Sequence, residues 1–351
     1  MPVPSQGLGG NHRNEVPVMK IAVLGSGGWG TALAMLLEEN GHQVTLWSFL
    51  EEESRRLRET GENPLLPGVK LPAGLGYTWD LACVQGCDVV VLATPSFGVR
   101  ATAGQIAPLL SPETTLVSVS KGIEKGSFLR MSEIVRQETG DRCPVVVLSG
   151  PSHAEEVARK VPTAVVSASP SRAAAERVQD LFLNDHFRVY SSSDVVGVEL
   201  GAALKNVMAL CTGCCTGMGY GDNTKAMLMT RGLAETARLG VALGGRRETF
   251  AGLAGMGDLI VTCTSMNSRN YRAGILIGQG VPVPEAIAKI GAVVEGYYAV
   301  DAARALAQKV GVEMPITEAA YEVLYQGRDP KEAILTLMRR EKRHEIEETW
   351  G

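Results

Sequence analysis

The chain has 351 residues, 45% hydrophobic and 21% charged, with a formal net charge of -4. That length allows two cores at roughly 150 residues per domain, and the composition is that of an ordinary globular protein. The slight acidity leaves no basic field for nucleic acid, so an anionic small-molecule substrate must meet a local cluster of Lys and Arg.

In chain order, residues 1–18, "MPVPSQGLGGNHRNEVPV", lack the apolar core of a signal peptide and read as a disordered extension. Seven apolar bursts follow: "KIAVLGSG", "HQVTLWS", "DVVVLATP" (88–95), "TTLVSVSKG" (114–122), "CPVVVLSGP" (143–151), "TAVVSAS" (163–169) and "FRVYSSSD" (187–194). Each is rich in Val, Leu or Ile, ends in small or polar residues, and lacks strict polar alternation. Separated by helical segments, they predict a mainly parallel sheet covered on both faces. Right-handed crossovers make this a doubly wound α/β fold with its ligand crevice at the carboxyl ends of the strands.

Beyond Asp194 the pattern changes to helices ended by Gly, beginning with "VVGVELGAALKNVMALCTG" and closing with an amphipathic helix in "DPKEAILTLMRREKRHE". The expected organisation is a dinucleotide-binding, Rossmann-like domain over 19–194 and an all-helical substrate domain over 195–345. Runs of apolar residues stop short of the ~18 that a membrane span needs, with Glu199 and Lys205 interrupting the best of them. The seven cysteines, an odd number, favour free thiols in a reducing cytoplasm. Cys211, Cys214 and Cys215 lack a second ligand pair at metal spacing and read as small packers rather than a metal site.

Gly25-Ser26-Gly27-Gly28-Trp29-Gly30 fits G-x-G-x-x-G, between one strand and a helix at 29–39, with a second strand after it. In that context Gly25 permits the tight turn, Gly27 lets backbone N–H groups approach a pyrophosphate, and Gly30 allows close helix–strand packing. The alternative is a merely structural turn. At the end of the second strand, Trp47-Ser48-Phe49 offers neither an acid for a ribose hydroxyl nor an Arg for a 2′-phosphate. The Glu51–Glu53 run would repel such a phosphate unless Arg55 and Arg56 fold back, so the residues lean only slightly to NAD, or to dual use with NADP.

Three groups could carry chemistry. Lys121 and the Gly150-Pro151-Ser152 turn stand at strand ends, where a lysine can pair with phosphate. Lys205-Asn206 lies within an apolar helix, with Gly201, Lys205 and Met208 on nearly one face. Desolvation would push Lys205 towards neutrality, where it can exchange a proton with a carbonyl or alcohol oxygen; a snorkelling lysine at a domain edge is the alternative. The loop from Asp258 through Thr262 to Ser268-Arg269-Asn270 is dense in carboxylate, hydroxyl and guanidinium groups suited to holding a phosphate, or to a plain ion pair.

Taken together, "GSGGWGTALA", "SKGIE", "SGPSHAEEVA", "GVELGAALKNVMAL", "GLAGMGDLIVTCTSMNSRN" and "VVEGYYA" closely resemble the bacterial NAD(P)-dependent glycerol-3-phosphate dehydrogenases, from Met19 to about residue 340. The resemblance implies reversible reduction of dihydroxyacetone phosphate to sn-glycerol 3-phosphate, a phospholipid precursor, with NADH or NADPH and no metal. It makes Lys205 the proton donor and acceptor and sets Lys121 against both substrate and cofactor. It puts Gly150, Ser152, Asp258, Ser268, Arg269 and Asn270 on the substrate, and Ala154, Arg269, Val293 and Glu295 on the cofactor. Asn206 and Thr262 become helpers by similarity to eukaryotic relatives. The chain departs from the family where a Ser often precedes the aromatic residue, having Gly28 before Trp29, so a backbone N–H must serve. It departs again at Phe49, a cofactor position where the family often has His or Arg. Helical domains of this type commonly pair, which puts a homodimer among the expected partners. The competing readings are a dehydrogenase of hydroxy acids or 6-phosphogluconate on a similar plan, and a dinucleotide sensor without catalysis.

Overall fold

The computed structural model describes residues 17–342 and 344–345. Most of the expected amino-terminal extension, residues 1–16, therefore lies outside the described residues.

Eight strands form one sheet: β1 (Lys20–Leu24), β2 (Gln43–Trp47), β3 (Gly76–Thr78), β4 (Val89–Leu92), β5 (Thr115–Ser118), β6 (Val145–Ser149), β7 (Thr163–Ala168) and β8 (Phe187–Ser192). Their order across the sheet is β3-β2-β1-β4-β5-β6-β7-β8. Every neighbouring pair runs parallel except β6 and β7. Seven strands fall inside the seven apolar bursts. The eighth, β3, is a three-residue edge strand of sequence GYT, half-buried throughout, too short and too polar on one side to leave a hydrophobic signature. Strands β4, β5 and β6 are buried at every position, as expected where helices cover both faces. The sheet order reverses between β1 and β4, which opens a crevice at their carboxyl ends.

The carboxyl-terminal half is helical, and no strand follows β8 among the described residues. Its axis is the 23-residue Val195–Gly217 helix, which carries Lys205. By length and hydropathy this helix could cross a membrane, but 89% of its most apolar window is buried inside the protein, where a core helix belongs. The Arg269–Gly278 helix packs against it backbone to backbone. A Cβ at Gly274 would lie 2.1 Å from the Leu210 carbonyl oxygen, and one at Gly278 would lie 2.0 Å from that of Cys214. Only glycine allows this approach, which fixes the start of the second helix relative to Lys205.

Two sequence readings need correction. The stretch from Asp258 to Asn270 is not a loop: a π-helical turn, Leu253–Gly257, runs into the Asp258–Thr264 helix, and a short break precedes Arg269–Gly278. Just ahead of Asp258, Gly255 is required by close packing, since a Cβ there would lie 2.1 Å from the Phe250 carbonyl oxygen. The last helix covers Pro330–Met338, shorter than the amphipathic pattern suggested.

A buried carboxylate ties the two halves together. Glu199, on the Val195–Gly217 helix, accepts from Arg130 Nη1 at 2.6 Å, Ser132 N at 2.7 Å and Ser132 Oγ at 2.6 Å. These donors sit at the start of the Met131–Thr139 helix, whose exposed N–H groups favour an anion. Glu199→Ala would leave Arg130 and Ser132 without their acceptor. It is expected to cost about 3 kcal/mol, read as a lower midpoint of urea unfolding.

Candidate active site

The crevice begins at the glycine loop. Gly25 has φ +122°, and a Cβ there would lie 2.7 Å from the Ala93 carbonyl oxygen. At Gly30 a Cβ would fall 2.0 Å from the Gly25 carbonyl oxygen, so the loop and the first turn of the Gly28–Glu39 helix touch through backbone alone. A Cβ at Gly27 would meet nothing within 4 Å, and this residue caps the helix without any side-chain hydrogen bond. The helix therefore presents free N–H groups to an open space, as a pyrophosphate requires. Ala154 borders that space, its Cβ 3.5 Å from where a Gly28 Cβ would be. Trp29 Nε1 is buried without a partner, a donor available to a ligand. Asn63 holds the loop from behind, donating to the Ser26 carbonyl at 2.9 Å and to Thr31 Oγ1 at 2.7 Å. The residues present fit a dinucleotide.

At the end of β2, Phe49 is 79% exposed and stands edge-on to Trp47 at 6.2 Å between ring centroids. Arg55 reaches back one helical turn to pair with Glu51 at 2.9 Å.

Deeper in the crevice, Asp258 gathers two lysines from different halves of the chain. Lys121, just past β5, donates to Asp258 Oδ2 at 2.7 Å and to the Gly150 carbonyl at 2.9 Å. Lys205 donates to Asp258 Oδ1 and, at 2.8 Å, to Thr262 Oγ1. Thr262 in turn donates to the Asp258 carbonyl at 2.6 Å. Helical periodicity delivers the pairing: Gly201 lies against Ala254, and one turn further on both segments Lys205 meets Asp258. Burial pushes the Lys205 ammonium down to about 7, against the pull of Asp258 and with help from the charge of Lys121. Burial alone would raise the Asp258 carboxyl, but the two ammonium groups outweigh it and hold the acid below its ordinary value. A basic nitrogen that changes protonation near neutrality can move a proton to or from a substrate oxygen.

A model of the amino-terminal part of the NAD-dependent glycerol-3-phosphate dehydrogenases matches residues 20–175, and one of their carboxyl-terminal part matches residues 194–335. The chain belongs to this family. It is 53% identical over 332 residues to the Geobacillus kaustophilus protein named glycerol-3-phosphate dehydrogenase [NAD(P)+], covering 93% of this chain and 96% of that one. A Moorella thermoacetica protein of the same name is 54% identical over 329 residues, covering 93% and 98%. The crystal structure of glycerol-3-phosphate dehydrogenase from Coxiella burnetii superposes with a TM-score of 0.87 at 40% identity, covering 92% of this chain and 99% of that one. Like its family, the chain is an NAD(P)-dependent oxidoreductase.

Most residues singled out in the sequence gather along this crevice, in three groups. Lys121, Gly150, Lys205, Asp258 and Thr262 form one hydrogen-bonded cluster, with Ser152 joined by a bond to the Gly150 carbonyl at 2.9 Å. Gly25, Gly27, Gly28, Trp29, Gly30 and Ala154 form the loop region. Asn206 and Asn270 bond to each other at 2.9 Å, and Asn270 accepts from the Gly296 amide at 2.8 Å. The amide groups of this third group are engaged with the scaffold and fix the first turn of the Glu295–Val310 helix. Ser268 caps the Arg269–Gly278 helix through the Tyr271 amide, and the Arg269 side chain beside it is exposed. Val293 is half-buried just before Glu295. Sequence reasoning missed Asn63, and also Ser96, which bonds to Glu295; an isolated Asn or Ser in a loop carries no periodicity or motif that could mark it. Cys214 and Cys215 are free thiols pushed up to about 12 and about 11 by burial. No group of His, Cys, Asp and Glu suited to a metal ion occurs among the described residues.

Two glycines of the loop separate folding from binding. Gly27→Ala should unfold within about 0.5 kcal/mol of the unaltered chain yet bind NADH at least about tenfold more weakly, by fluorescence titration. Gly30→Ala should lose about 3 kcal/mol of stability in urea, because its methyl group meets a carbonyl oxygen.

Proposed function

We propose that the chain interconverts dihydroxyacetone phosphate and sn-glycerol 3-phosphate through Lys205, which gives a proton to the substrate oxygen during reduction and takes it back during oxidation. The observation that carries this reading is a fully buried lysine brought to near neutrality and held between Asp258 and Thr262. When bound, the nicotinamide cofactor supplies or accepts the hydride. Asp258 restrains the Lys205 ammonium between proton transfers, and its second oxygen holds Lys121 for the substrate. Lys121, Arg269 and the capped start of the Arg269–Gly278 helix offer the positive charge and N–H groups that a phosphate needs. Ser152, Gly150, Ser268 and Asn270 complete the substrate contacts. Asn206 supports Asn270, and the loop glycines, Trp29, Phe49, Ala154, Arg269, Val293 and Glu295 receive the dinucleotide.

On this reading residues 19–194 are the cofactor domain and 195–345 the substrate domain. The product would feed phospholipid synthesis in the cytoplasm, a setting in keeping with seven free cysteines.

The test is NADH consumption with dihydroxyacetone phosphate, compared with pyruvate-type and hydroxy-acid substrates. Lys205→Met should cut turnover about a thousandfold while leaving NADH binding within about twofold. Wild-type-like turnover in that variant would overturn the assignment. The pH dependence follows from the sign of the proton step. Reduction needs Lys205 protonated, so kcat/KM for dihydroxyacetone phosphate should fall as pH rises through about 7. Oxidation needs it neutral, so kcat/KM for glycerol 3-phosphate should rise through the same range.

A further inference from the structure

Ser96 and Glu295 are 199 residues apart, yet they meet where the loops after β4 and β5 face the helical half. The Ser96 hydroxyl lies 3.0 and 2.8 Å from the two Glu295 carboxylate oxygens, and its amide N lies 3.4 Å from Oε1. Ser96 opens a single helical turn just past β4, and Glu295 opens the Glu295–Val310 helix. Gly122, which follows Lys121, makes room for the pair. A Cβ there would lie 2.6 Å from Ser96 Cβ and 3.3 Å from Glu295 Oε2. Two strand-end loops of the cofactor-binding half thus converge on one carboxylate of the other half.

Burial outweighs the hydroxyl and amide of Ser96 and the charge of Arg269, which pull the other way, so the Glu295 carboxyl lies above its ordinary value. The neighbouring Lys121 ammonium is turned to Asp258 and the Gly150 carbonyl. An ionised carboxylate is an acceptor only, with about four lone-pair sites on two oxygens. After Ser96 has donated, sites remain for an amide N–H of the kind a nicotinamide carries.

We infer that Ser96 is a positioning residue: by donating to the Glu295 carboxylate it holds that side chain aimed into the crevice as an acceptor for the cofactor. This rests on the reading of Glu295 as a cofactor contact. The hydrogen bonds also join the halves at the mouth of the site, so cofactor affinity and the closure of this contact depend on the same donor.

Equilibrium NADH binding, followed by fluorescence across pH without substrate, tests this on the full chain. In the unaltered protein, affinity should fall as acid protonates Glu295. Ser96→Ala should weaken binding at neutral pH about threefold to tenfold. Losing a donor to the charged form raises the carboxyl pKa, so the acid limb should also move to higher pH. Glu295→Gln should remove that limb, and adding Ser96→Ala to it should change affinity less than about twofold. Ser96→Ala binding like the unaltered chain, an unmoved limb, or an equal loss in the Glu295→Gln background would each overturn the inference. Failure of the unaltered chain to bind NADH or to turn over dihydroxyacetone phosphate would instead overturn the function itself.

Discussion

Everything in the crevice depends on one buried carboxylate shared by two lysines. Asp258 is almost wholly enclosed, and alone it would be driven towards its neutral form. With Lys121 on one oxygen and Lys205 on the other, it is held below its ordinary value, and the cluster carries one excess positive charge when Lys205 is protonated. Removing Asp258 would leave two ammonium groups facing each other without a counter-charge in a low-dielectric interior, which costs far more than losing a surface pair. The protein is acidic overall, so attraction for an anionic substrate is a local property of this cluster and of Arg269, not of the surface. The same arrangement makes Lys205 reactive. An ammonium held by one full carboxylate would remain firmly charged, but burial, with help from the second ammonium, more than offsets that pull.

Holding this cluster together requires that the Val195–Gly217 helix be rigid and correctly placed, and buried acids at helix starts do much of that. Asp194 accepts from Gly197 N at 2.9 Å, Arg246 N at 2.8 Å and Thr249 Oγ1 at 2.6 Å, tying the helix start to the segment ahead of Asp258. Glu199 binds the start of the Met131–Thr139 helix across the junction of the two halves. Glu235, on the Asp222–Ala242 helix, accepts from Ile316 N and Thr317 N, each at 2.8 Å, and caps the Pro315–Gln326 helix. Each of these acids answers several donors at once, which makes burial of a charge tolerable and sets one geometry rather than many. Glycine contacts add the remaining constraint: Gly213 and Gly274 bring the Val195–Gly217 and Arg269–Gly278 backbones together, with no side chain to slide between them.

How much of this the sequence disclosed varied with the length scale of the interaction. The parallel strands were legible because burial on both faces leaves uninterrupted Val and Leu runs, whereas edge strand β3 has no such constraint and left no mark. Lys205 stood out because a charge within an apolar helix demands a partner. The family resemblance set Asp258 on Lys205 or on a substrate hydroxyl, but no local pattern chose between them, since Asp258 sits in a glycine-rich segment whose composition imitates a loop. Gly255 is required where the chain closes on the Phe250 carbonyl five residues earlier, and the long helix fits against the segment through its own Gly201, whose Cβ would meet the Ala254 carbonyl. The Ser96–Glu295 bond was invisible because neither residue belongs to a local pattern that the other completes.

Cofactor choice and substrate chemistry are physically separate in this design. The lysine cluster lies beyond β5, while the adenosine end of a dinucleotide at the glycine loop would reach the end of β2, two strands away across β4 and β1. There, Phe49 projects into solvent, Arg55 is engaged by Glu51, and the buried Ser48 hydroxyl carries no charge to tell a 2′-hydroxyl from a 2′-phosphate. Discrimination must then rest on the exposed acidic turn Glu51–Glu53, whose influence is weak in water and weaker in salt. A site built this way has only weak means of favouring one cofactor over the other. Changes around residues 49–55 can therefore alter that bias without touching the proton chemistry at Lys205, because no charge or hydrogen bond connects the two regions directly.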